Sequence, residues 1–430
     1  MNCRFAAVIS HPIQHYAPVF RELAQVRGMD VKVFYASDWA VKPTYDPDFQ
    51  REFAWDVPLL SGYDHEFLPR NRRAAHQGFF EIDSPQLAPR LEAYSPHVVW
   101  IHGYGHRVSW RALGWARRRA AALFFGDSEL LRKRSLWRRT VKSVVVREFF
   151  RHCNGFITIG DRNEEYYAHY GVPRKKMFRG ACPIDVRRFQ AAVAAPDRPR
   201  RTDLRARYGL PQDAVVVVFS GKLIDLKRPF DLLQAIETLV ADRLRVAALY
   251  VGEGPLRSSL ERAVFERGLQ ERVRFAGFVN QREIPLVLDC GDILAVTSER
   301  DAHPLAVAES MAVGHAIVAS DRVGCVGSTD AARPGINALT YPAGDVPALA
   351  SVLRQLVESE PLRRGMSQSS LALAATQDIR QTAAAVVRAV RALRPDFSAA
   401  WQDVSADVLE GLEREQSRLE AAACPCCICR

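Results

Sequence analysis

Short apolar runs alternating with amphipathic stretches at helical spacing constrain this chain more than any other feature. FAAVIS and DVKVFYAS flank a helix expected over 17–27, and HVVWI, ALFF and GFITIG follow. Helices are expected between them near 110–121, through about 151, and near 162–170. After AAVAAPDRPRRTD, residues 191–203, the pattern restarts with VVVVFSG, RVAALYVG, VRFAG, ILAVTS and AIVAS. PFDLLQAIETLV, PLRSSLERAVFERG and helices at about 282–290 and 304–313 lie between these runs. Strands joined by helices of this length need crossover connections, and therefore a parallel sheet. Two such series about a solvated linker predict an α/β chain of two doubly wound Rossmann-like domains facing a cleft. The first domain is expected over 1–192, the linker over 193–203 and the second domain over 204–393. The last helix, near 379–393, either continues the second domain or crosses back onto the first. Residues 40–90 read as long loops with short pieces of structure, and 394–430 as a helical appendix with a cysteine-rich tail.

A length of 430 residues favours two or three domains, and 48% apolar with 25% charged residues is the balance of a core-forming protein. No apolar run reaches the 18 or more residues of a bilayer span. The opening MNCRFAAVISHPIQ has too short an apolar stretch for a signal-peptide core and reads as a buried strand, so a cytoplasmic location is expected. Of the nine cysteines, Cys3, Cys153, Cys182, Cys290 and Cys325 are scattered and expected to be buried and reduced. The other four crowd into CPCCICR, which lacks the second cluster or histidines of a zinc site. The net charge of +10 is local: residues 107–151 hold thirteen Lys or Arg against Asp127, Glu129 and Glu148.

TSERDAHPLAVAESMAVGHAIVASD, residues 297–321, places Asp301 in a loop at the carboxyl end of a strand and Glu309 inside the following helix. Carboxyl ends of strands are where open α/β sheets bind ligands. Pro304 suits the first helical position and Gly314 the C-terminal cap. Free N–H groups of Leu305, Ala306 and Val307 favour an anion there. Carboxylates beside an anion site are unfavourable unless they bind hydroxyls, and a carboxylate accepts from a ribose-like diol. Taken alone, the pair also fits a solvated loop Asp and an exposed helix Glu. GKLIDLKRP, residues 221–229, adds Lys222 and Lys227 on the loop after the first strand of the same domain, a clamp suited to a diphosphate. VGEGP, residues 251–255, is a turn whose Gly252 and Gly254 allow close backbone approach.

With FSGKLIDLK, VGEGPLRSSL, VRFAGFVNQREIP, GINALTYPAGD and CPIDVRRF, the paired acids followed by SMAVG and AIVAS resemble family 4 of the retaining nucleotide-sugar glycosyltransferases, enzymes of the GT-B fold. The resemblance spans about 155–345. It implies that Glu309 holds the nucleotide ribose and that Asp301 with neighbouring backbone amides holds the donor sugar. Lys222 and Lys227 neutralise the departing diphosphate. Gly221, Gly252, Gly254, His303, Pro304, Leu305 and Ala306 complete the donor site. Neither a metal nor another cofactor is implied, and no protein nucleophile is needed. The family's first acid is usually Glu, one methylene longer than Asp301.

On the acceptor side, His11, Gln14 and His15 of SHPIQHYAP and His102 after HVVWI are expected at a strand rim, as acceptor-positioning or merely structural groups. FFGDS stands where many relatives carry Thr-Val-His. Asp127 and Ser128 there fit a proton acceptor or an orienting group, or Asp127 an N-cap. Residues 128–153 interleave apolar and basic side chains, suiting an anionic membrane surface or a plain solvent face. No nucleic-acid motif accompanies the charge. The reading is a transferase acting on a glycan or lipid-linked acceptor at the cytoplasmic side, peripheral to the membrane where residues 128–153 meet an anionic surface. A nucleotide-sugar epimerase and a non-catalytic binding protein are the alternatives. Base, sugar, acceptor and linkage stay open.

Overall fold

The computed structural model describes residues 2–39, 41–69, 78–132 and 135–397. The CPCCICR tail lies outside the described residues. Fifteen strands run in chain order among them. β1 is Cys3–Ile9, β2 Met29–Tyr35, β3 Thr44–Asp46, β4 Arg51–Phe53, β5 Asp64–Phe67, β6 Val98–His102, β7 Ala121–Phe125, β8 Gly155–Thr158 and β9 Met177–Arg179. β10 is Val215–Ser220, β11 Val246–Val251, β12 Val273–Gly277, β13 Ile293–Val296, β14 Ala316–Ser320 and β15 Ala338–Tyr341.

The chain forms two compact units. One comprises the described residues of Met1–Thr44, Val57–Pro183 and Asp378–Glu415, and the other holds Tyr45–Asp56 and Ile184–Gln377. The first unit carries a sheet of order β5-β2-β1-β6-β7-β8-β9, and every pairing in it is parallel. The second carries a parallel sheet of order β12-β11-β10-β13-β14-β15. In each, strand order reverses beside the first strand, between β1 and β6 and between β10 and β13. Loops diverge at such a point and leave a crevice at the carboxyl ends.

Both faces of the second sheet are covered, which is why its strands read as continuous apolar runs. Val216, Val218, Leu249 and Leu294 belong to one core, and Val217, Phe219, Ala248 and Ile293 to another, as the two-residue period of a strand requires. In the first unit, Val99, Ile101, Phe124, Phe149 and Phe156 anchor one such core. The five scattered cysteines are buried, and none of them is joined in a disulfide.

Several expected boundaries move. The first unit stops at Pro183, so the helix Val186–Ala194 lies in the second unit rather than in a domain ending at 192. The expected linker 193–203 is not simply solvated: a helix, Arg201–Arg207, begins inside it. Its arginines explain the difference, because Arg198 pairs with Asp289 at 2.7 Å, and Arg201 and Arg205 grip Asp292 at 2.7 and 2.8 Å. The helix Ile379–Leu393 belongs to the first unit, where Thr382 exchanges hydrogen bonds with Ala181 and Arg388 donates to the Arg179 carbonyl at 2.8 Å. In the stretch read as loops with short pieces of structure, those pieces are β3, β4, β5 and the start of the helix Leu87–Tyr94, and Tyr45–Asp56 joins the second unit. The helix expected at 110–121 runs instead over Arg107–Ala116.

Candidate functional site

In the second unit, the loops after β10 and β13 flank the strand-order reversal, and they are tied together. Thr297 Oγ1 donates to the Lys227 and Arg228 carbonyls at 2.7 and 3.0 Å, and the Glu299 N–H donates to the Leu226 carbonyl at 2.9 Å. Lys227 and Asp301 meet in this frame as a direct ion pair. The Asp301 carbonyl accepts from the Gly324 N–H at 2.7 Å, and a Cβ at Gly324 would lie 1.9 Å from the Ala302 carbonyl oxygen. The loop is therefore held from below by a close backbone contact that a side chain at 324 would break.

Lys222, on the same rim, is also engaged. Its ammonium lies 2.9 Å from Asp48 and 3.3 Å from Asp46. Gly221 has φ +149° and open space where a Cβ would point. Gly252 and Gly254 have a packing reason: a Cβ at 252 would lie 1.9 Å from the Gly221 carbonyl oxygen, and one at 254 would lie 2.6 Å from that of Leu223. They bring the 252–254 turn against the 221–223 loop, and the Leu223 N–H donates to the Glu253 carbonyl at 2.8 Å across the contact.

Pro304 is the N-cap and not the first helical residue; the helix is Leu305–Ala312. Its extended ψ of 121° places it just outside the turn, and its carbonyl accepts from the Val307 N–H at 3.1 Å. Of the three amides expected to face an anion, Leu305 and Ala306 are left as the first-turn donors. His303 is turned away to Asp330, Nε2 to Oδ1 3.2 Å, with both side chains buried.

Glu309 is 8% exposed, which rules out an ordinary solvent-facing helix acid. Burial pushes its carboxyl up to about 7, opposed by the Arg188 guanidinium and a hydrogen bond from the Gln281 side chain. Arg188 itself donates to the Gln281 carbonyl and, at 3.0 Å, to Gln281 Oε1. Arg188 and Gln281 stand in CPIDVRRF and VRFAGFVNQREIP, but nothing in their spacing singles them out. Asp46 and Asp48 were also missed. They lie 176 and 174 residues from Lys222, and no local pattern joins them to it.

In the first unit, the loop after β1 and the end of β6 flank the other reversal. His11 bonds Ser10 Oγ at 2.9 Å and meets Trp39 edge-on at 4.9 Å. His15, Tyr16, Trp100 and His102 form a ring cluster, with centroids 4.8 Å apart for His15–Tyr16 and Tyr16–His102 and 4.2 Å for Trp100–His102. Burial drives the imidazoles neutral, His11 down to about 4 and His15 and His102 to about 3. Among the described residues, five buried polar atoms here have no hydrogen-bond partner: His15 Nδ1, Tyr16 Oη, Trp100 Nε1, His102 Nε2 and His106 Nδ1. Each such atom costs about 1–3 kcal/mol until a water or a ligand meets it. Gln14 is half-buried in the same loop.

Asp127 is exposed beyond β7, and the helix expected to follow at once begins only at Leu136 with Ser135 as its N-cap, so Asp127 does not cap it. The Gly126–Ser128 backbone is fixed by Asn163 and Tyr167 instead, at 2.8 and 2.9 Å. On the helix Leu136–Arg151, Trp137 and Val144 are each 65% exposed, and Val141 and Val145 also face solvent. Among the described residues no helix is long and apolar enough to cross a membrane.

Residues 200–371 match the model of the family described as glycosyl transferases group 1. A D-inositol 3-phosphate glycosyltransferase of Nocardioides sp. is 34% identical over 191 residues, 40% of this chain and 41% of the relative. An alpha-D-kanosaminyltransferase of Streptomyces kanamyceticus is 26% identical over 183 residues, 43% of this chain and 46% of the relative. The chain thus spans less than half the length of these two curated relatives. The crystal structure of Anabaena HepE in complex with UDP superposes with a TM-score of 0.68 at 16% identity, covering 91% of this chain and all of the other. That likeness establishes the fold as GT-B.

Proposed function

We propose, for a chain whose residues 200–371 match the glycosyl transferases group 1 family, that it moves a sugar from a nucleoside-diphosphate sugar to a hydroxyl of a glycan or lipid-linked acceptor, with retention. One observation carries the reading: two lysines, two carboxylates and a helix start gather at the strand-order reversal of the second sheet. In this reading Lys222 and Lys227 take the diphosphate oxygens with the Leu305 and Ala306 amides. Asp301, released from Lys227, accepts from sugar hydroxyls. Glu309 accepts from the ribose diol, and Arg188 and Gln281 hold its carboxylate in place. The bond from the anomeric carbon to the phosphate oxygen breaks, and its electron pair leaves with the diphosphate. The acceptor oxygen bonds that carbon on the same face, and its proton passes to a diphosphate oxygen. The charge this requires is supplied by side chains and amides, so the reading needs no metal.

The neutral imidazoles of the first unit support an uncharged hydroxylated acceptor there. Asp127 is assigned an orienting role toward it. Exposed Trp137, Val141 and Val144 among the arginines of the 136–151 helix favour a peripheral site on an anionic membrane. Flotation with anionic vesicles at low salt tests this last assignment, and failure to co-float removes it.

HepE was crystallised with UDP, so UDP is the first probe, with GDP and ADP beside it. One of the three is expected to raise the melting temperature. Glu309→Ala is expected to weaken that nucleotide by a few kcal/mol, roughly the scale of a lost charge-assisted contact. Unaltered affinity would reject the ribose assignment.

A further inference from the structure

The Tyr45–Asp56 stretch of the second unit is a small hairpin, β3 paired with β4. Aromatic packing anchors it. Phe49 and Phe53 lie 5.3 and 5.0 Å from the Phe278 ring, and the Arg51 guanidinium sits over that ring at 4.5 Å. Asn280 Nδ2 donates to the Ala54 carbonyl at 2.8 Å, and the Arg282 N–H donates to Asp56 at 3.1 Å. The tip is shaped by Asp46, whose Oδ1 accepts from the Asp48 and Phe49 N–H groups at 2.8 and 3.1 Å.

This anchored tip delivers two carboxylates to Lys222, while the Phe49 ring lies 4.9 Å from the same nitrogen. It also reaches the glycine turn: a Cβ at Gly254 would lie 3.0 Å from the Asp48 carbonyl oxygen. Two negative charges on one ammonium, beside a turn of the donor rim, present to Lys222 what a diphosphate would present. The hairpin is covalently attached, so its local concentration is high and constant.

We propose that the Asp46–Asp48 tip is a built-in competitor of the diphosphate, holding Lys222 until a donor breaks both ion pairs and returning to it when the nucleoside diphosphate leaves. The inference rests on Lys222 being a donor ligand. The displaced Asp48 carboxylate, already 57% exposed, goes to water at little cost, whereas Lys222 exchanges two separate carboxylates for one dianion. Donor affinity is therefore set below what the clamp alone would give, and product release is assisted by the same amount.

Calorimetric titration of the full chain with UDP, with GDP and ADP in parallel, tests this on wild type, Asp48→Asn, Lys222→Ala and the double variant. Asp48→Asn is expected to bind the nucleoside diphosphate about two- to fivefold tighter, the scale of a partly exposed ion pair. Lys222→Ala is expected to bind it at least about tenfold weaker, and the gain from Asp48→Asn should vanish in that background. Asp46→Asn is the second variant and should shift affinity the same way. Asp48→Asn is the primary one, because Asp46 also shapes the tip. Unchanged or weaker binding by both Asn variants, with Lys222→Ala still weakened, overturns the competitor and leaves the donor reading standing. Equal tightening with and without Lys222 also overturns it, since the effect would then be a general field. No binding of any of the three to wild type, or a Lys222→Ala affinity equal to wild type, sinks the donor reading itself.

Discussion

The two units prepare their rims in opposite ways. At the β1/β6 reversal the polar groups are neutral and largely buried, and His15, Tyr16, Trp100 and His102 each have a buried atom with no partner among the described residues. At the β10/β13 reversal the groups are ionic and already paired, Lys222 with Asp46 and Asp48 and Lys227 with Asp301. Unbonded neutral atoms favour any uncharged ligand that brings hydroxyls, because binding adds hydrogen bonds and breaks few. Self-paired ions favour only a ligand that can replace the internal partner, here an anion with more than one charge. One rim attracts by its deficit, and the other selects by exchange.

The largest effect expected from this contrast is on turnover. Lys227→Ala should lower kcat/KM by about 100- to 1000-fold, as loss of a preorganised charge does, whereas His15→Ala should act on the acceptor KM and leave nucleotide affinity alone. Steady-state kinetics beside nucleotide titration would break the contrast if His15→Ala weakened the nucleotide as much.

Next come the glycines. Gly252→Ala places a Cβ 1.9 Å from a carbonyl oxygen at φ +143°, and chemical denaturation should show a loss of about 3 kcal/mol or more. Gly103, just beyond β6, has φ +68° and open space, so Gly103→Ala should cost only about 1–2 kcal/mol. Equal losses would mean that the second rim is not the more tightly built.

The pH response should separate the units further. A ribose bound to ionised Glu309 favours loss of its proton, so nucleotide affinity relative to Glu309→Gln should rise from pH 6 to 8 by about tenfold. Stability runs the other way. A carboxyl raised from 4.5 to about 7 contributes stability that is full below pH 4.5 and lost as pH climbs to about 7. The first-unit histidines, lowered to about 3 or 4, contribute stability that is full above pH 6.5 and lost on acidification. Acceptor KM should accordingly stay flat from pH 7 to 9. The smallest effect is expected from His102→Phe, which keeps the ring packing and removes an unbonded nitrogen. Thermal denaturation should show stability unchanged or higher by about 1 kcal/mol, and a marked loss would show that His102 Nε2 is satisfied in solution.

What could be read from the residues followed burial. FAAVIS, HVVWI, VVVVFSG and RVAALYVG are central strands covered on both faces, and their runs of Val, Ala and Leu announce it. Three of the four edge strands of the two large sheets lack that signal: β5 is DHEF, β9 is MFR and β15 is ALTY, all polar or short, and none stood out, whereas the fourth, β12, did as VRFAG. The proposed donor rim was legible because Lys222, Lys227 and Asp301 sit in loops fixed by neighbouring strands and Glu309 in the helix that follows one of them. Their partners were not. Pairing of Lys222 with Asp48 depends on a fold bringing together residues 174 positions apart, and the burial that lifts Glu309 depends on Arg188 and Gln281 closing over it. Pro304 lay one position from its expected place, the usual uncertainty of a helix end.

Because Tyr45–Asp56 is lent to the second unit and Ile379–Leu393 to the first, the backbone passes from one to the other four times between Thr44 and Asp378. No single scission separates the two units with both intact. A fragment cut after Pro183 keeps the hairpin without Phe278, and a fragment starting at Ile184 keeps the terminal helix without Ala181. The two proposed roles thus sit on units whose segments interleave along one chain, and the first lacks its last helix until synthesis passes Leu393.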